Sequence, residues 1–228
     1  MKAQISTVMF DMDGLMFDTE AITRDAWLHA MADKDFLVSD DLYLNLIGLS
    51  TQNEAKLLSK LFGEDFPYQE IHNMEQRYVE EFLATHSIPK KPCLDKLLNL
   101  IDDLKLKKAV ASSTIRANVE KWLTITGLIS RFDIIIGGDE VKNGKPLPDI
   151  FLQVARRLNV IPEQCLVLED SNAGVRAAYD AKMIPIMIPD LQPPSDETTR
   201  LAFKIFSSLC EVEELFQKHF TPVSIKGR

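Results

Sequence analysis

The chain opens on a short apolar run, Ile5 to Met12, rich in β-formers and interrupted only late by Asp11. A run of this length and kind suits a strand buried in the middle of a sheet better than an amphipathic helix. From Leu15 to about Pro89 the pattern changes, and apolar residues recur at helical spacing, as in Ala26-Trp27-Ala30-Met31 and Leu57-Leu58-Leu61-Phe62. Ser39 before Asp40-Asp41 and Ser50-Thr51 before Asn53-Glu54 mark helix starts, and Pro67 opens a further helix running through Tyr78 to Phe82. No convincing strand interrupts this stretch.

Beyond Pro89-Lys90-Lys91-Pro92 helices and strands alternate. Helices are expected over Leu94 to Leu104, Ala117 to Leu128, Pro148 to Leu158 and Ser171 to Lys182. Strands are expected at Lys107 to Ser113, Phe132 to Gly138, Cys165 to Leu168, Ile184 to Ile188 and Lys204 to Ser207. Pro185 is placed at the start of an edge-side strand, where a missing donor is tolerated. The expected fold is therefore α/β, a Rossmann-like, mainly parallel sheet with helices on both faces and an inserted α-helical domain. The core takes residues 1–16 and 90–220, the helical insert takes 17–89, and 221–228 form a frayed tail.

Composition narrows the function classes. The chain has 228 residues, 46% hydrophobic and 26% charged, which is the balance of an ordinary soluble globular protein. Its formal charge of -8 argues against a nucleic-acid or anionic-membrane surface, because phosphates are bound by basic patches. Cys93, Cys165 and Cys210 are odd in number, far apart and without C-x-x-C pairing, so three reduced thiols are expected, with neither disulfide nor zinc site. With no apolar leader and no stretch as long as a membrane span, the reading is cytoplasmic. The oligomeric state is open, and a monomer is assumed.

The chemistry gathers at the carboxyl ends of the strands, where parallel sheets hold their ligands. The first run ends in Asp11 and Asp13 ahead of Gly14, which permits a sharp turn. Two carboxylates so close raise each other's pKa unless a cation lies between them. A bare D-x-D more often caps a helix, so the other strand ends have to supply partners. They do: Ser112-Ser113, Glu169-Asp170, and one lysine in the loop Gly144-Lys145-Pro146-Leu147-Pro148-Asp149. Oxygen ligands from Asp11, Asp170 and a backbone carbonyl suit octahedral Mg²⁺. One carboxylate can attack phosphorus, Ser112 and Lys145 can hold the phosphoryl oxygens, and Asp13 can protonate the leaving group and then activate water. His29, His72, His86 and His219 are scattered and read as satisfied or surface residues.

These residues resemble a family. Asp11-x-Asp13-Gly14, Phe17-Asp18-Thr19-Glu20, Ser112, Gly144-Lys145-Pro146-x-Pro148-Asp149-Ile150-Phe151 and Glu169-Asp170-Ser171-x-x-Gly174 look like the ordered motifs of the haloacid dehalogenase superfamily. They are most similar to its β-phosphoglucomutase-like phosphatases with an α-helical cap. The resemblance implies a nucleophilic Asp11, an acid/base Asp13 with its carbonyl on Mg²⁺, and phosphoryl binding by Ser112 and Lys145, with Ser113 beside them. It also implies metal ligation by Asp170 with support from Glu169, and a cap that closes over a small phosphorylated metabolite.

By the same resemblance, the mutases place a histidine in the first cap helix and basic residues around the cap's glycine loop, to hold a second phosphate. The matching stretches here are Thr23 and Ile47-Gly48-Leu49-Ser50-Thr51, without those cations. Thr23, Gly48 and Thr51 become the expected specificity positions. Hydrolysis of a phosphomonoester, such as a sugar phosphate, is favoured over phosphomutase activity, with Arg24 and Arg77 as the residues that would restore a mutase. A phospho-accepting signalling module uses Asp, Ser/Thr, Lys and Mg²⁺ too, but it accepts phosphate on a later strand and lacks the helical insert.

Overall fold

The computed structural model describes residues 3–222. In chain order these form β1 (Ala3–Ile5), β2 (Thr7–Phe10), α1 (Glu20–Ala32), α2 (Asp40–Leu44), α3 (Thr51–Phe62), α4 (Tyr68–Thr85) and α5 (Leu94–Asp103). There follow β3 (Lys107–Ala111), α6 (Arg116–Ile125), β4 (Ile134–Ile136), α7 (Asp149–Leu158), β5 (Cys165–Glu169), α8 (Asn172–Asp180) and β6 (Ile184–Met187). The chain closes with α9 (Asp196–Leu201), β7 (Lys204–Ile205), α10 (Val212–His219) and β8 (Phe220–Pro222). Six strands make one sheet in the order β4-β3-β2-β5-β6-β7, and every neighbouring pair is parallel.

Both faces of this sheet are covered, which explains why its strands read as continuous apolar runs. Val8, Phe10 and Val110 point into one core with Leu97 and Leu98 of α5, Val119 and Leu123 of α6, and Leu215 of α10. Met9, Ala109, Ala111 and Val167 point into the other, against Phe151 and Val154 of α7 and Ala177 and Ala178 of α8. Successive residues of β2 thus serve opposite layers, as the period of a strand requires.

Helices α1 to α4 have a separate core built on Trp27, Ala30, Met31, Tyr43, Leu58 and Ile71. The chain leaves for them and returns through adjacent segments. Asp18 N donates to Pro89 O (2.8 Å) and Lys91 N to Met16 O (2.9 Å). The Lys91 ammonium bridges the carboxylates of Asp18 and Asp190, at 2.7 Å each.

Several expectations need correction. The run Ile5 to Met12 is not one strand: β1 pairs with β8, Ser6 N turns to Gln164 O, and β2 stops at Phe10. Asp11 and Asp13 therefore stand in the turn after the strand. Strand β6 is one in from the edge, because β7 pairs on its outer side. Thr221 and Pro222 belong to β8 rather than to a frayed tail, and 223–228 lie outside the described residues. Cys93 and Cys210 form a disulfide, with Cα atoms 5.1 Å apart, and only Cys165 is a free thiol, buried in β5. The two cysteines are 117 residues apart and meet because the turn before α10 packs on the start of α5, a contact that spacing in sequence does not show. The case for a reducing compartment from three free thiols loses its premise. Among the described residues, no helix is long and apolar enough to cross a membrane.

Candidate active site

Strand order brings the expected strand ends together. β2 lies between β3 and β5, so Asp11 after β2, Ser112 after β3, and Glu169 and Asp170 at the end of β5 converge on one mouth. The loop between β4 and α7, with a cis Lys145–Pro146 peptide, delivers Lys145 to the same place. Its ammonium is 1% exposed and donates to Asp11 Oδ1 and Glu169 Oε1, both at 2.5 Å, and to Ala111 O at 3.2 Å. Glu169 is held further by Ser171, whose Oγ (2.9 Å) and N (3.3 Å) both donate to Oε2. Ser171 also caps α8 by accepting from Gly174 N at 3.0 Å. Glycine is required at Gly174, because a Cβ there would collide with the Glu169 carboxylate.

Carboxylate oxygens of Asp11, Glu169 and Asp170 all lie within 4.8 Å of one another. Burial is the main influence on Asp11 and Asp170. It pushes Asp11 up to about 8, with Glu169 and Asp13 adding to the rise and Lys145 opposing it. Burial, then Asp11 and Glu169, hold Asp170 well above the usual carboxylate range. For Lys145, burial works against the charge, but Asp11 and Glu169 outweigh it and raise the ammonium above its ordinary value. Asp170 Oδ2 is buried without a hydrogen-bond partner. A crowded set of hard oxygens with one orphaned acceptor is what a divalent cation would satisfy. Gly14, at φ +73°, passes so close to that acceptor that a Cβ would clash with it.

Asp13 stands apart from this cluster. Its carboxylate accepts from Thr19 Oγ1 (3.2 Å) and Thr114 Oγ1 (3.0 Å), and burial raises its pKa. The two carboxylates thus have different partners, a lysine for one and two hydroxyls for the other.

A cavity of about 580 Å³ runs from these acids to the helical insert. Asp11, Asp13, Asp170, Ser112 and Ser113 line it, and so do Thr23, Gly48 and Thr51. Ser112 Oγ accepts from Thr114 N at 3.1 Å, whereas the Ser113 hydroxyl is committed to Gly48 O at 3.1 Å. Thr23 Oγ1 likewise donates to Thr19 O, within its own helix. Asn53 Nδ2 donates to Lys145 O (2.8 Å) and Gln192 Nε2 to Leu44 O (2.6 Å), so the insert is tied directly to the lysine loop and to the loop after β6. Arg24 pairs with Asp25 at 2.8 Å, and neither Arg24 nor Arg77 lines the cavity.

The haloacid dehalogenase-like hydrolase family model matches residues 8–188, most of the chain and all of the acids above. The chain belongs to the haloacid dehalogenase-like hydrolases. As a member of that family it is a hydrolase. It is 32% identical to a phosphorylated carbohydrates phosphatase of Thermotoga maritima, over 78% of this chain and 82% of that one. It is 28% identical to a β-phosphoglucomutase of Bacillus subtilis, over 83% and 85%. The structure of CbbY from Rhodobacter sphaeroides in complex with phosphate superposes with a TM-score of 0.78 at 28% identity, over 92% of this chain and 96% of that one.

Some residues of this hydrolase's site escape a reading from sequence. Thr114 was not singled out, and Ser171 only as part of the Glu169-Asp170-Ser171 motif, yet they hold Asp13 and Glu169. His72, expected to be a satisfied or surface residue, lines the cavity on α4. So do Glu20, Glu54 and Glu75. The usable signal was the helical register of α4, where His72 and Glu75 follow Ile71 at the buried face.

Proposed function

We propose that the chain is a Mg²⁺-dependent phosphatase that hydrolyses a small phosphomonoester, of the sugar-phosphate kind, through a phosphorylated Asp11. The observation that carries this is the division between the two aspartates: Lys145 pins Asp11 among Glu169 and Asp170, while Thr19 and Thr114 hold Asp13 outside. The names of relatives, a phosphatase of phosphorylated carbohydrates and a β-phosphoglucomutase among them, support the same substrate class.

In this reading Asp11, Asp170 and the Asp13 carbonyl would hold Mg²⁺, with Glu169 behind them, and the bound ion would offset the charge of acids and phosphate. Lys145 and Ser112 orient the phosphoryl oxygens. The Asp11 carboxylate attacks phosphorus and the ester P–O bond breaks. Asp13, whose buried carboxyl favours the protonated form, gives its proton to the departing alkoxide. The same carboxylate then takes a proton from water, whose oxygen attacks phosphorus and releases phosphate from Asp11. Helices α1 to α4 act as the cap that covers the cavity and excludes bulk water. Hydrolysis is preferred to phosphomutase chemistry because, among the described residues lining the cavity, none is an arginine or lysine that would clamp a second phosphate.

The test is Mg²⁺-dependent phosphate release from an aryl phosphate, sugar phosphates and sugar bisphosphates. Asp11→Asn is expected to lower turnover by roughly a thousandfold or more, the scale for loss of a nucleophile, with unchanged circular dichroism. Undiminished turnover removes Asp11 from that role. Isomerisation of a sugar monophosphate primed by its bisphosphate, outpacing hydrolysis, overturns the choice of phosphatase.

A further inference from the structure

One short segment of the cap, Gly48 to Asn53, is seated on the loops that carry the catalytic groups. The Ser113 hydroxyl donates to Gly48 O at 3.1 Å, and Ser50 packs so closely on Gly144 that a Cβ on that glycine would strike it. Asn53, the third residue of α3, reaches the next residue of the same loop, where its Nδ2 donates to Lys145 O at 2.8 Å. Asn53 is fixed from behind as well, because its N donates to the Ser50 hydroxyl that caps α3 (3.4 Å). Its neighbours Gln52 and Glu54 line the cavity, whereas Asn53 is not among the lining residues. The amide of Asn53 therefore touches the lysine loop and not the substrate.

Lys145 is thus held at both ends. Its ammonium meets Asp11, Glu169 and Ala111 O, and its carbonyl meets Asn53. A four-carbon stem is flexible, so the position of the charge is sharp only when the backbone beneath it is fixed too. Small errors in the placement of such a group are costly to the rate. The bond to Asn53 crosses from cap to core, so it exists only while α3 is seated.

Resting on the phosphatase reading, we propose that Asn53 is a positioning residue that acts through Lys145, so that exact placement of the ammonium depends on a seated cap. A cap that swings away takes Asn53 with it and leaves the lysine loop without this anchor. Chemistry is then fastest in the state that also excludes water.

The test uses the full chain with Mg²⁺, one aryl phosphate and one sugar phosphate. Asn53→Asp keeps the size of the side chain but removes the donor and sets a carboxylate against the Lys145 carbonyl. An acid in the first turn suits a helix N-terminus, so its melting temperature is expected to stay close to that of wild type. Its kcat is expected to fall roughly tenfold, with KM little changed, the upper scale of one neutral hydrogen bond. Asn53→Ala, which adds no charge, is expected to fall roughly threefold. The loss should be equal on both esters, because the lysine serves the phosphoryl group they share. Gln192→Ala removes the bond to Leu44 O, a cap contact away from the lysine, and is expected to keep kcat close to wild type.

Wild-type kcat in Asn53→Ala overturns the proposal, since any fall in Asn53→Asp would then come from its charge. An equal fall in Gln192→Ala overturns it too, because docking of the cap as a whole would then suffice. A loss confined to one ester, or a rise in KM alone, has the same consequence. All of these outcomes leave a phosphatase. No release from either ester by the wild-type chain defeats the phosphatase reading and this proposal with it.

Discussion

One cavity joins two groups of buried acids, and they are neutralised by different means. At the strand ends, Asp11 and Glu169 share the ammonium of Lys145, and Ser171 at the head of α8 anchors Glu169. On α3 and α4, Glu54 accepts only from the Tyr68 hydroxyl, and Glu75 faces the His72 imidazole at 3.4 Å. The first group carries a fixed internal cation and keeps one oxygen, Asp170 Oδ2, unpartnered. A set of hard oxygens with one left unpartnered is what a divalent cation would satisfy. The second has no fixed cation beyond a titratable imidazole. Burial and Glu75 push Glu54 up to about 7, and the contact with Glu75 raises the His72 imidazole, so this group is neutralised by protons rather than by a lysine.

The strongest way to break this contrast is to remove the internal cation. Lys145→Met leaves Asp11 and Glu169 buried and unpaired, so a loss of roughly 3–5 kcal/mol in stability is expected. For a chain of this length that lowers the melting temperature by about 10 °C, with turnover falling alongside. Mg²⁺ is expected to restore part of the stability, because it neutralises the same acids. Melting curves with and without Mg²⁺ test this; a variant as stable as wild type would mean that the lysine does not hold this cluster together.

The next largest effect separates the two groups by metal. Saturating Mg²⁺ is expected to stabilise the wild-type chain by about 2–3 kcal/mol at a hundredfold excess over Kd. Asp170→Asn should abolish most of that gain, since it removes the charge of the orphaned carboxylate. Glu75→Gln should leave the gain in place. Calorimetric scans across a Mg²⁺ titration distinguish these outcomes, and an equal loss in both variants would erase the distinction drawn between the two ends.

The two ends also differed in how legible they were. The strand-end residues could be found from sequence because parallel strands deliver their carboxyl ends to one mouth, and short apolar runs mark those ends. Asp11, Ser112, Glu169 and Asp170 each follow or end such a run, and the Gly-Lys-Pro loop marked Lys145. Helices α1 to α4 were readable as a block, with Ser50 and Pro67 correctly marking helix starts. Their cavity-facing residues were not, because which flank of an amphipathic helix faces a cavity depends on how the block docks on the sheet. The expected Thr23 and Thr51 do line the cavity, but the charge there comes from Glu54, His72 and Glu75, one turn or one helix away. The Cys93–Cys210 pairing failed for a related reason: it depends on the docking of the last helix, which local pattern does not encode.

The smallest effect tests the helical end alone, through pH. Glu54 is raised from its ordinary 4.5 to about 7, first by burial and then by Glu75. Between those values the unfolded chain has released a proton that the folded chain still holds. Stability therefore falls as pH rises through that window and levels off above about 7. Glu54→Gln removes this component. A shift of this size would correspond to at most about 3 kcal/mol at roughly 1.4 kcal/mol per pK unit, and solvent reaches part of the side chain, so a gain of about 1 kcal/mol is expected above pH 7. Below about pH 4.5 the two chains should melt alike, apart from the altered hydrogen bond to Tyr68. A stability difference that stays constant from acid to alkaline pH would show that folding does not raise Glu54 at all.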